Sequence, residues 1–145
     1  MSDYLLMWTL GPVQPFIQAA RKTQDLWVGS YLLSHLMKTA LDVIQDQAEL
    51  LYPASSTEQD GDIANQPNTF VARCKSGEEA KAVASAAQQV ITGRWNQLRL
   101  QVWGNLPRVV RQIDGGEQQW NEHTDPANIF EFYWVAAPLD PNDYG

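Results

Sequence analysis

The run Tyr4-Leu5-Leu6-Met7-Trp8-Thr9-Leu10, stopped by Gly11-Pro12, constrains this chain more than any other stretch. It is apolar and rich in aromatic residues. It is too short to cross a membrane as a helix, which takes about 20 residues. A run of this length bounded by turn residues reads as a buried strand. A buried strand needs neighbours on both sides and a cover on at least one face, so the rest of the chain must supply a sheet and helices.

The chain supplies them in a definite order. Val13 to Ala20 suits a short helix, with Phe16, Ile17 and Ala20 on one side. Lys22 to Asp25 is polar and reads as a turn. A longer helix is predicted from Leu26 to Asp46, where Leu32, Leu33, Leu36, Met37, Ala40, Leu41 and Ile44 recur at helical spacing. Glu49–Tyr52 reads as a short strand and Thr69–Cys74 as a second, alternating one, the two forming an antiparallel hairpin. Between them, residues 53–67 carry Ser, Asp, Gln and Gly without periodicity and read as a surface loop.

Ser76 with Glu79 three residues on has the spacing of a capping box. A helix follows from Gly77 to Val102, with Ala80, Val83, Ala84, Ala87, Val90, Ile91 and Leu98 as its inner side. Gly104 to Pro107 ends it. Gly115-Gly116 marks a turn, Glu117–His123 a short helix, and Asn128–Ala137 the strongest strand, stopped by Pro138. The order strand, helix, strand, strand, helix, strand is the ferredoxin-like βαββαβ motif. It implies an α+β domain over residues 1–138: an antiparallel four-stranded sheet with the helices on one face. Residues 139–145 read as a linker.

Composition narrows the function classes. With 145 residues and 44% apolar content, the chain can build one ordinary core. A single cysteine, Cys74, excludes an internal disulfide and a cysteine-based zinc site, and points to a cytoplasmic protein. No basic n-region precedes the first apolar run, so no membrane partner is expected. A net charge of −7 argues against a free-standing nucleic-acid binder. The N-terminal residues 1–41 hold three Lys/Arg against two Asp/Glu, and the remainder seven against fifteen.

The turn at Gly11-Pro12 leads from a strand toward a helix start, where backbone N–H groups can hold an anion. A simple change of direction is the other reading. Gly29-Ser30 interrupts a helix of large apolar residues. Close packing explains it, and so does close approach of a nucleotide. Serines 30 and 34 have no His/Asp arrangement for nucleophilic chemistry. Arg21 and Lys22 read as solvated helix-end charges. His35 and His123 lack a second ligand at metal spacing. Asp60-Gly61-Asp62 is too short for a calcium loop. Gly115-Gly116-Glu117 does not sit between predicted strands and lacks paired carboxylates for two metal ions.

Gly11-Pro12-Val13-Gln14 with Phe16-Ile17, then Ala20-Arg21-Lys22-Thr23 with Asp25-Leu26-Trp27, then Gly29-Ser30-Tyr31-Leu32-Leu33-Ser34, resembles the opening of one family. That family is the large, polymerase/cyclase-like subunit of type III-B CRISPR effector complexes, the Cmr complexes. Tyr52-Pro53, Pro67-Asn68 with Phe70, and Tyr133-Trp134-Val135 follow in the same order, although Thr69 stands where the family pattern suggests a basic residue.

The resemblance implies the first of two ferredoxin-like palm halves in a subunit that makes cyclic oligoadenylate from ATP on target-RNA binding, in antiviral defence. It implies nucleotide contacts from Gly11, Pro12, Val13 and Gln14, facing phosphates, and from Ser30, near adenine or ribose. No catalytic or metal-binding residue is expected in this chain, and none of its own cofactors. ATP and a divalent metal ion belong to the full-length parent, whose Gly-Gly-Asp-Asp turn lies in the second palm. The chain alone is expected to be inactive. Many members carry a histidine-aspartate nuclease domain ahead of this palm, and no such dyad stands here. The implied partners are the other subunits of the complex, guide and target RNA through it, and ATP with the second palm. The alternative is a non-catalytic ferredoxin-like module that docks a partner subunit or RNA.

Overall fold

A computed structural model of the chain describes residues 2–12, 22–53, 66–140 and 142. The predicted helix over 13–20 and most of the predicted loop, residues 54–65, lie outside them.

The first strand, β1, spans Tyr4–Gly11. Helix α1 spans Thr23–Ile44, strand β2 Glu49–Tyr52 and strand β3 Thr69–Cys74. Helix α2 spans Gly77–Asn105. Three short helices follow: α3 (Arg108–Arg111), α4 (Gly116–Thr124) and α5 (Pro126–Ile129). Strand β4 is Glu131–Pro138. The sheet order is β2-β3-β1-β4, with every neighbouring pair antiparallel. This is the ferredoxin-like arrangement that the order of elements implied.

Register places the side chains. Trp8 stands opposite Phe70 on one side and Trp134 on the other. Alternation then puts Leu6, Trp8, Leu10, Phe70 and Ala72 on the inner face, and all five are fully buried. The same core takes in Leu36, Met37, Ala40, Leu41 and Ile44 from α1 and Ala80, Val83, Ala84, Ala87 and Ile91 from α2. Alanines at successive turns of α2 let the helices and the sheet approach closely. Trp8 stacks on Phe70 with ring centroids 5.3 Å apart and lies 5.6 Å from Phe132. The other face of the sheet is open, and Met7, Tyr133 and Val135 are exposed there.

Several boundaries differ from the sequence reading. The predicted turn at Lys22–Asp25 is helical: Lys22 is the N-cap, and Asp25 sits in the first turn of α1, where its charge suits the helix dipole. The capping box forms, with Glu79 N donating to Ser76 Oγ at 3.1 Å. The Glu79 carboxylate reaches back one residue further than in the usual box, to the backbone N–H of Lys75. In α2, Val90 and Leu98 are only partly buried, and Ile91 is the last fully buried residue. The 29 residues of α2 run about 43 Å at 1.5 Å per residue, longer than the roughly 27 Å of an eight-residue strand. Its C-terminal half therefore outruns the sheet. The strand predicted from Asn128 begins at Glu131, because Asp125 caps a short helix with Pro126 at its first position.

Candidate functional site

The site expected from the sequence lies at the C-terminal end of β1. Gly11 is the last residue of that strand, pairs with Glu131 of β4 and is buried. Among the described residues, a Cβ on Gly11 would meet the Tyr133 ring at 3.6 Å and the Glu131 carbonyl at 3.8 Å, ordinary contact distances, so crowding from these residues does not demand glycine. Pro12 follows, half-buried, after a cis Gly11–Pro12 peptide. Val13 and Gln14 lie outside the described residues.

Two ties bring other elements to this end. The Asn68 side chain donates to the Leu10 carbonyl at 3.1 Å, and Leu10 N donates to the Asn68 carbonyl at 2.9 Å. The segment before β3 is thereby clamped to the end of β1. Gln66 N in turn donates to Ser34 Oγ at 3.0 Å, which fixes α1 to the same segment. Ser34 is buried and points inward from the helix. Ser30 lies one turn earlier on the same face of α1 and is half-buried. The chain Ser34, Gln66, Asn68, Leu10 thus links the helix face that carries Ser30 to the turn at Gly11-Pro12. This linkage was not predicted. Its hydrogen bonds join positions 32 and 58 places apart in sequence, and no local pattern couples them.

Among the described residues, this end carries hydroxyls, amides and one carboxylate. Thr9 and Thr69 share a hydroxyl hydrogen bond at 3.1 Å. The nearest carboxylate on β4, Glu131, accepts from the Tyr133 hydroxyl, and that bond, reinforced by partial desolvation and the carboxylate charge, raises the phenol above its ordinary range. Hydroxyls and amides of this kind suit a sugar or a base. Among the described residues, no group of His, Cys, Asp and Glu is placed to hold a metal ion.

The remaining titratable groups with shifted ionisation lie elsewhere. His35, on α1, accepts from Arg94 Nε of α2 at 3.0 Å through Nε2, so its ring is a neutral acceptor. Burial and the nearby guanidinium both push its pKa down. It acts as a strut between the helices. Burial, and secondarily the Glu79 charge, pushes the Cys74 thiol up, consistent with an unreactive core residue. Among the described residues, no helix is long and apolar enough to cross a membrane.

Residues 5–99 match the family described as "CRISPR-associated protein Cmr2, N-terminal". The chain belongs to this family. It is also 40% identical over 95 residues to the CRISPR system Cmr subunit Cmr2 of Pyrococcus furiosus, an alignment that takes in 54% of this chain and 11% of that protein. The chain therefore spans about a tenth of the length of the relative it matches. The family match covers β1 through most of α2, and with it Gly11, Pro12, Ser30, Ser34 and Asn68.

Proposed function

We propose that this Cmr2 N-terminal chain is the first palm half of the large subunit of a type III-B CRISPR effector complex. In this reading it forms one wall of an ATP site used for cyclic oligoadenylate synthesis. The observation that carries the proposal is the joining of the Ser30 face of α1 to the Gly11-Pro12 turn through Ser34, Gln66 and Asn68. A wall of hydroxyls and amides can hydrogen-bond ribose and base. In this reading the turn at Gly11, Pro12, Val13 and Gln14 faces the phosphates, and carboxylates supplied by a second palm hold the divalent ions that bridge to them. The other subunits, with guide and target RNA held through them, are the partners this reading requires.

The open face of the sheet, with Met7, Tyr133 and Val135 exposed, favours a second role as an interaction module. The two readings separate in one experiment. In the full-length subunit within its assembled complex, Ser30→Gln places a bulky side chain on the proposed wall. Oligoadenylate synthesis falls at least about tenfold, which corresponds to about 1.4 kcal/mol, while assembly and target-RNA binding hold. A variant that assembles, stays folded and synthesises at the wild-type rate rules out the nucleotide role and leaves the docking role.

A further inference from the structure

The end of β1 is held differently on its two sides. Toward β4 the ladder runs to the last residue of the strand, with Gly11 opposite Glu131. Toward β3 it stops earlier, at Thr9 opposite Thr69. Leu10 lies past that stop and is fully buried. Asn68 takes over there. Its carbonyl accepts from Leu10 N at 2.9 Å, and its side-chain amide donates to the Leu10 carbonyl at 3.1 Å. One residue thus pairs both backbone groups of Leu10, and the second bond depends on its side chain. The Leu10 carbonyl has no way out to water, and a buried carbonyl left unpaired is costly. Without a donor at position 68 the strand end must shift to pair it, and the next residues along are Gly11 and Pro12.

The same segment is tied on its other side. Gln66 N donates to Ser34 Oγ of α1 at 3.0 Å. Pro67, whose ring fixes its own φ, stands between the two ties. The spacing between α1 and the end of β1 is therefore set through three consecutive residues, Gln66, Pro67 and Asn68.

We propose that Asn68 is a positioning residue for ATP. It acts through Leu10, holding the Gly11-Pro12 turn at the spacing from the Ser30 face at which both reach one nucleotide. The inference rests on the reading of this end as a wall of an ATP site, and it names the side chain that sets the geometry of that wall.

The test measures oligoadenylate synthesis against ATP concentration, in the full-length subunit within its assembled complex. Asn68→Asp keeps the shape of the side chain and turns an acceptor toward the Leu10 carbonyl. Asn68→Ala removes the donor without adding a charge. Both raise KM for ATP at least about tenfold, since misplacing a group by about 1 Å can cost about a hundredfold. A purely structural role acts otherwise: fewer folded subunits lower the maximal rate and leave KM in place. KM does not depend on the fraction folded, so a less stable variant still answers the question. Ser76→Ala weakens the cap of α2 near the other end of β1, where Cys74 pairs with Tyr4, and leaves KM unchanged. A wild-type KM in both Asn68 variants overturns the proposal. If Ser30→Gln still abolishes synthesis in that case, the wall stands and Asn68 does not set it; if Ser30→Gln is also active, the wall itself is wrong. A rise in Asn68→Asp alone traces the effect to the added charge and overturns the proposal too.

Discussion

Trp8 offers a perturbation in which two terms of opposite sign can be weighed. It is fully buried at the centre of the sheet, against Phe70 and Phe132. Its indole N–H is buried and has no hydrogen-bond partner among the described residues. Trp8→Ala removes the whole ring and leaves a cavity, at a cost of about 3–5 kcal/mol. Trp8→Phe removes about three heavy atoms of ring, roughly 2 kcal/mol of burial at 0.8 kcal/mol per carbon group. The same change also removes an unsatisfied buried donor, whose desolvation penalty is about 1–3 kcal/mol. The two terms offset, so Trp8→Phe shifts stability by no more than about 1 kcal/mol. Urea unfolding of the chain, followed by circular dichroism with an unchanged slope, measures both variants. If Trp8→Phe costs as much as Trp8→Ala, the indole N–H is satisfied after all. If Trp8→Ala costs under about 1 kcal/mol, Trp8 is not the keystone of this core.

Two further outcomes follow from the geometry. Ser76→Ala removes the acceptor of Glu79 N at 3.1 Å and lowers stability by about 1 kcal/mol in the same urea assay, whereas Ser85→Ala, on the exposed side of α2, leaves it unchanged. The pKa of His35 is lowered from 6.5 in the fold, so the unfolded chain takes up its proton first as pH falls. Stability is therefore full above about pH 6.5 and declines as pH drops from there toward the lowered folded value. The pH dependence of the urea midpoint shows this decline, and His35→Gln reduces it; an identical slope in the variant refutes the strut.

Much of the fold was legible because its signals are local. Tyr4–Leu10 declared β1 through its apolar run and the Gly-Pro stop, and Ser76 with Glu79 declared the start of α2. The hairpin of β2 and β3 followed from two short β-favouring runs flanking a polar loop. What depended on tertiary extent was not legible. Val90 and Leu98 continue the apolar spacing of α2, but the sheet beneath them has ended, and no periodicity carries the length of a neighbouring strand. At Asp125-Pro126 the cap and the proline outweighed the apolar pattern of the following strand, and a short helix took its first residues. At the candidate site, Gly11 and Ser30 stood out as small residues in bulky surroundings. Ser34, Gln66 and Asn68 carried no local mark, since what joins them is a set of hydrogen bonds between distant elements.

The central claim is that ATP rests against the wall formed by α1 and the end of β1. Photolabelling the full-length subunit in its assembled complex with 8-azido-ATP, and mapping the labelled peptides by mass spectrometry, tests it most directly. The account predicts a label on the peptide containing Ser30 or on the one running through Gly11-Pro12, and competition by unmodified ATP. A label that ATP displaces but that falls wholly outside these two peptides, in a complex still making oligoadenylate, contradicts it.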